Sequence, residues 1–248
     1  MTFGQVWDFF ADAANWQGPQ GISTYLAQQL LLSVTSIAVA SLVGLPIALW
    51  LGHLGKGGFL AINVSNVGRA VPTYAVLALL ALRPGGGELG PYGREGLATL
   101  IALTLFALPP IITNAYVGMR EVDREMVDAA QGMGMRGGEV FGRVELPLAR
   151  PLVLTGLRLA TVQVWATATI AALVAGPGLG NIITQGFATN DTTQVVAGAL
   201  LVAVIAVVLE GSFALAERAL DPLRASRRAG QVTVAQRPAS GVAGAAGK

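Results

Sequence analysis

The stretch VDREMVDAAQGMGMRGGEVFGRVELP, residues 122–147, carries more pattern than any other part of the chain. Asp123 stands where a helix N-cap belongs, and Glu125 follows in the first turn, where negative charge suits the helix dipole. Met126, Val127, Ala129 and Ala130 then give the helix an apolar side. Gly132 and Gly134 end it, because glycine tolerates the left-handed backbone of a helix stop. After a turn through Arg136, Gly137 and Gly138, a second short amphipathic stretch carries Val140, Phe141 and Val144. Leu146-Pro147 is expected to close the loop and hand the chain to the next hydrophobic segment. Such a helix–turn–helix suits docking into a groove on a soluble partner: alanine allows close approach and methionine fills an irregular pocket. The pattern alone fits equally well a loop that rests on a lipid surface.

On both sides of this loop the chain is hydrophobic. Of 248 residues, 53% are hydrophobic and 12% charged, about half the charge of a usual globular chain. A water-soluble surface needs more charge than that. Five segments approach or exceed the ~20 apolar residues that a helix needs to cross a bilayer. They run roughly Tyr25–Leu51, Phe59–Leu82, Leu97–Met119, Pro151–Ala175 and Val195–Ala216. Lipid offers no partners to backbone amides and nothing here alternates like a barrel strand, so an all-α, polytopic membrane protein is expected. Pro46, Pro72, Pro109 and Pro110 lie inside or near the ends of these spans and are expected to bend them.

Orientation follows from arginine. The loop between the third and fourth spans holds Arg120, Arg124, Arg136, Arg143 and Arg150, and the tail after the fifth holds Arg218, Arg224, Arg227 and Arg228. The opposite side has Arg83 and Arg94. Positive charge marks the cytoplasm, so the N-terminus is expected outside and the C-terminus inside. Residues 1–21, with Asp8 and Asp12 and no Lys or Arg, do not read as a signal peptide. Phe3, Trp7 and Phe10 recur there at helical spacing, as expected of an external interfacial segment. Residues 22–220 form the membrane domain with its cytoplasmic loop at 120–150, and residues 221–248 read as a disordered basic tail.

The chain has no cysteine and one histidine, which excludes thiol chemistry and leaves little room for a metal site; none is expected. His53 reads as a cytoplasmic loop residue without a special role. No phosphate-binding loop exists: Lys56 follows Gly55 but precedes Gly57, and position 50 is Trp. The formal dinucleotide fingerprint at Gly132, Gly134 and Gly137 follows a helical pattern rather than a strand and is set aside.

The loop resembles the one that marks permease subunits of ATP-binding-cassette (ABC) importers. That family's pattern is Glu-Ala-Ala, three residues, Gly, nine residues, an aliphatic residue, one more, then Leu-Pro. Here Asp128-Ala129-Ala130 is followed at those spacings by Gly134, Val144 and Leu146-Pro147, with aspartate in place of glutamate. Met133-Gly134-Met135, Val144 through Ala149, and Gly156-Leu157-Arg158 through Thr169 further resemble the branch that imports glycine betaine, choline, carnitine or proline. The resemblance implies a type I importer fold in a bacterial inner (plasma) membrane. It also implies a second permease (a copy or a paralogue), an ATP-binding cassette subunit that holds ATP and Mg, and an external solute-binding protein. No nucleic-acid partner is expected. Asp128, Ala129, Ala130, Met133, Gly134, Met135, Val144, Leu146 and Pro147 would form the loop that couples to the ATPase.

Within the fourth span, Thr161, Trp165 and Thr169 share a face at a spacing of four and are candidates for the translocation path. Arg158 and Glu210 are expected to serve structural roles near the cytoplasmic ends of their spans, and Gly176–Gly180 to form a tight external turn. An ion-coupled transporter is the rival class, but no Asp, Glu or His falls clearly at mid-span. Within the preferred class the rival is a permease for methionine or an organic sulfonate.

Overall fold

A computed structural model describes residues 3–59, 63, 71–82 and 90–220. The described residues are helical almost throughout. In chain order the helices are α1 (Phe3–Ala11), α2 (Ile22–His53), α3 (Thr73–Ala81), α4 (Gly96–Arg120), α5 (Arg124–Gly132), α6 (Gly137–Val140), α7 (Leu146–Ala171), α8 (Gly180–Thr189) and α9 (Thr192–Leu220). Among the described residues, four helical stretches are long and apolar enough to cross a membrane: Ile22–His53, Gly96–Arg120, Gly137–Val174 and Thr192–Glu217. These correspond to the first, third, fourth and fifth expected spans. The second, Phe59–Leu82, lies partly outside the described residues, which retain its last part as α3. Arg83 and the tail 221–248 lie outside them too.

The membrane core is built by α2, α4 and α7. Leu32 and Ala40 meet Leu103, Ala107 and Ile111 of α4 and Ala160, Val164 and Ala168 of α7. Leu103, Ala107 and Ile111 are four residues apart, as are Ala160, Val164 and Ala168, so each set makes one line along its helix. Alanine on these lines lets the backbones approach, which is how helices associate where lipid removes the hydrophobic drive. The approach is close at Gly156, where a Cβ would lie 2.9 Å from the Pro110 carbonyl oxygen. Helix α3 adds Leu77 against Ala102 and Phe106 of α4 and Ala171 of α7. On α9, by contrast, Val204, Val207, Val208 and Leu215 are exposed, as suits a helix whose outer side meets lipid.

The N-terminal segment folds back on the bundle. Val6 is buried, and Phe9, Phe10 and Trp16 pack on the cluster around Ile22 and Tyr25, while Trp7 stays exposed. The end of α1 is closed by side chains from the next turn. Asn15 Nδ2 donates to the Phe9 carbonyl at 2.9 Å and Trp16 Nε1 to the Phe10 carbonyl at 2.8 Å. The chain's first compact unit spans residues 1–211; residues 212–248 form a second, of which the last residues of α9 are described.

Candidate functional site: the loop and the membrane cavity

The loop at 120–150 begins as its sequence predicts. Asp123 caps α5, its Oδ1 accepting from the Glu125 backbone N–H at 2.9 Å, and the helix ends at Gly132. Gly134 has φ +90°, and the Met135 N–H reaches back to the Ala130 carbonyl at 3.2 Å. Glu139 then accepts from the Arg136 backbone N–H at 3.0 Å as α6 starts.

Leu146-Pro147 does not close the loop. Helix α6 runs through a π-helical turn, Phe141–Glu145, directly into α7, so a single helical stretch reaches from Gly137 to Val174. Pro147 sits near the start of α7, immediately after the π turn, where Leu146 N–H bonds back to the Phe141 carbonyl. A proline lacks the N–H that would continue the helical ladder, and a shift to the wider register lets the chain pass it without a break.

The expected loop residues divide into two sets. Ala130 is buried with Val122, Val127 and Val140, and Met135, Val144 and Leu148 pack against them; this set makes the loop's own small core. Asp128, Ala129, Met133 and Gly134 face outward, together with Met126, and Met133 is 75% exposed. Leu146 is half-buried and Pro147 exposed. One side of α5 is thus committed to this chain and the other is free to meet another.

Thr161, Trp165 and Thr169 turn into the bundle. Trp165 is 1% exposed and its indole N–H donates to the Val202 carbonyl of α9 at 3.1 Å. The Thr161 hydroxyl donates to the Leu157 carbonyl at 2.8 Å and that of Thr169 to the Trp165 carbonyl at 3.2 Å. The physical reason is that a buried indole N–H needs an acceptor, and a neighbouring helix supplies one. Gln29 of α2, fully buried, joins the same group. Its Nε2 donates to Thr169 Oγ1 at 3.2 Å and the Trp165 carbonyl at 3.3 Å, and its Oε1 accepts from the Leu179 N–H at 2.8 Å. The glycine-rich turn before α8 is therefore held by a side chain 150 residues earlier.

A cavity of about 480 Å³ opens on a different face of α7, at Leu159, Val162, Gln163 and Ala166. Its other walls are Val71 and Thr73 beside α3, and Phe106 and Pro110 of α4. Among the described residues no charged side chain lines it; they offer one amide, one hydroxyl and an aromatic ring. Thr161, Trp165 and Thr169 are absent from this lining. The alternation of the two faces on one helix was open to inspection at the sequence level, but not which face was open.

Arg158 and Glu210 find each other. Arg158 Nε donates to Glu210 Oε1 at 2.9 Å, joining α7 to α9. His53 is not in a loop. It occupies the last turn of α2 and its Nδ1 pairs with a carboxylate oxygen of Glu145, in the π turn. Sequence reasoning passed over both members because they lie 92 residues apart.

Membrane-length helices thus surround a mostly apolar cavity, and the loop turns Met126 and Met133 outward. The comparisons with known proteins agree: the family described as "Binding-protein-dependent transport system inner membrane component" matches residues 21–222, and the chain belongs to it. It is an ABC importer permease subunit and a multi-pass inner-membrane protein. Among curated relatives, the choline transport system permease protein OpuBB of Bacillus subtilis is 30% identical over 79% of this chain and 86% of its own length. The osmoprotectant import permease protein OsmY of Salmonella typhimurium is 35% identical over 80% of this chain and 82% of its own. The carnitine transport permease protein OpuCD of Listeria monocytogenes is 30% identical over 81% and 87%. A solved structure, the MetNI methionine ABC transporter in an inward-facing conformation, superposes with a TM-score of 0.66. It covers 80% of this chain and 95% of its own at 18% identity, and so bears on the fold, which is that of a type I importer permease.

Proposed function

We propose that this permease carries a compatible solute of the glycine betaine, choline, carnitine or proline class inward by alternating access, driven by a separate ATPase. The observation that carries the reading is the agreement among relatives at 30–35% identity whose names specify choline, carnitine or osmoprotectant transport. The cavity is consistent with such a cargo. A quaternary ammonium compound needs no buried counter-ion when an aromatic face and apolar walls surround it, and Phe106 supplies one ring.

In this reading the outward face of α5, with Met126, Asp128, Ala129, Met133 and Gly134, sits in a groove of the ATP-binding subunit, which holds ATP and Mg. Ala130, Met135 and Val144 shape that face from behind, with Leu146 and Pro147 at the entry to α7. An external binding protein delivers the solute and a second permease completes the path. The N-terminus lies outside and the C-terminus inside. Residues 1–21 lie at the outer interface and residues 221–248 form a basic cytoplasmic tail. Gln163, rather than the Thr161–Trp165–Thr169 face, contacts the passing solute.

The test is uptake of labelled glycine betaine by cells with and without this gene, at low and high salt, with choline, carnitine, proline and methionine as competitors. Loss of ATP-dependent uptake in the deletion strain, with competition by the quaternary amines, is expected. Competition by methionine alone would reassign the substrate.

A further inference from the structure

We propose that His53 and Glu145 form a brace that holds the loop to the first membrane helix and thereby sets how efficiently ATP hydrolysis is converted into transport. The proposal rests on reading residues 120–150 as the ATPase-docking loop. Glu145 is 2% exposed, a rare state for an acid without a partner, and its partner is the sole histidine of the chain. The imidazole is clasped on a second side by Phe141, whose ring stands edge-on at 5.4 Å and 78°. A Cβ on Gly137 would come within 3.9 Å of His53 Nε2. One residue at the end of α2 therefore meets both ends of the π turn and lies beside the start of α6.

The chemistry explains why such a pair would be kept. A buried acid–imidazole contact adds little net stability over an apolar pair of the same shape, but it is directional and tolerates one register only. Glu145 sits where the loop's small core, built on Val127, Ala130 and Val140, gives way to α7. Force applied to α5 reaches the membrane through this junction, and the brace fixes the junction to α2. Without it the loop can yield when the ATPase closes, and hydrolysis proceeds without moving the spans. Neither side chain touches the cavity, so both are positioning residues. Arg120, whose Nη1 lies 2.9 Å from where a Gly55 Cβ would stand, and Lys56 flank the end of α2. Arg143 lies exposed on the π turn, and Glu139 is engaged in capping α6.

The experiment uses the whole importer in proteoliposomes, with its ATPase and binding protein, and reads labelled glycine betaine moved per ATP hydrolysed. His53→Ala and Glu145→Ala are each expected to cut that ratio about tenfold, with ATPase rate and complex assembly within about twofold of the parent. The double variant should be no worse than either single one, since both remove the same contact. His53→Phe keeps a ring against Phe141 but lacks the donor, and should behave like His53→Ala. Glu145→Gln keeps an oxygen acceptor and should retain at least about a third of the parent ratio. An unchanged ratio, multiplicative losses in the double variant, or full function in His53→Phe would overturn the brace. So would ATPase activity falling in step with uptake. Failure of the parent chain to capture the ATPase would instead sink the reading of the loop, and capture without glycine betaine uptake would sink only the solute class.

Discussion

Replacing Gln29 by methionine, which has similar length and no amide, should loosen the outer end of the bundle by a calculable amount. Gln29 makes three hydrogen bonds from a fully buried position, two as donor and one as acceptor. Each neutral bond contributes roughly 1 kcal/mol net, and a buried N–H left without an acceptor costs about 1–3 kcal/mol. Thr169 Oγ1 keeps its own bond to the Trp165 carbonyl, so the two donated bonds are partly replaced. The Leu179 N–H, bonded to Gln29 at 2.8 Å, bears most of the loss. The sum is about 2–4 kcal/mol. Equilibrium unfolding of the purified permease in mixed micelles, titrated with a denaturing detergent, reads this difference. A loss below about 0.5 kcal/mol in Gln29→Met would mean that the turn at 176–180 is held by other contacts, and the reasoning would fail.

Three further outcomes follow from the same geometry. Met133→Cys, in a chain free of native cysteine, should cross-link to single cysteines placed in the groove of the ATPase partner; buried Ala130→Cys should not. Gly134→Val forces a β-branched residue to φ +90°, and should cost about 1–2 kcal/mol and lower the glycine betaine moved per ATP several-fold in proteoliposomes. Gln163→Leu removes the amide from the cavity wall and should raise the half-saturating glycine betaine concentration, or lower the rate, about fivefold, the worth of one hydrogen bond. Unchanged uptake kinetics in Gln163→Leu would remove that face from the path.

What could be read in the sequence was local. Three of the expected spans appear within about three residues of their predicted ends, because apolar length is a one-dimensional property, whereas the helix of the fourth starts well before Pro151, at Gly137. The start and end of α5 were legible because Asp123, Glu125 and Gly132 act on their own neighbours. Helix α8 was missed, although Asn190 in the left-handed region and Asp191, which accepts from the Thr193 N–H at 2.9 Å, punctuate its end. Leu146-Pro147 misled because proline usually stops a helix, whereas here a π turn absorbs it. The inward turn of Trp165, the Gln29 bonds and the His53–Glu145 pair each depend on residues far apart in the chain. No periodicity reports such meetings.

The unbroken helix from Gly137 to Val174 can be viewed as a lever, with Glu145 at its pivot. At about 1.5 Å per residue, the arm from Glu145 down to Val140 is roughly 7 Å, and the arm up to Gln163 roughly 27 Å. A displacement of about 1 Å at the lower end then sweeps the cavity wall through about 3–4 Å, close to the width of a methyl group. In the proposed coupling the short arm trades force for travel, so a small stroke by the ATPase reshapes the cavity wall at Gln163.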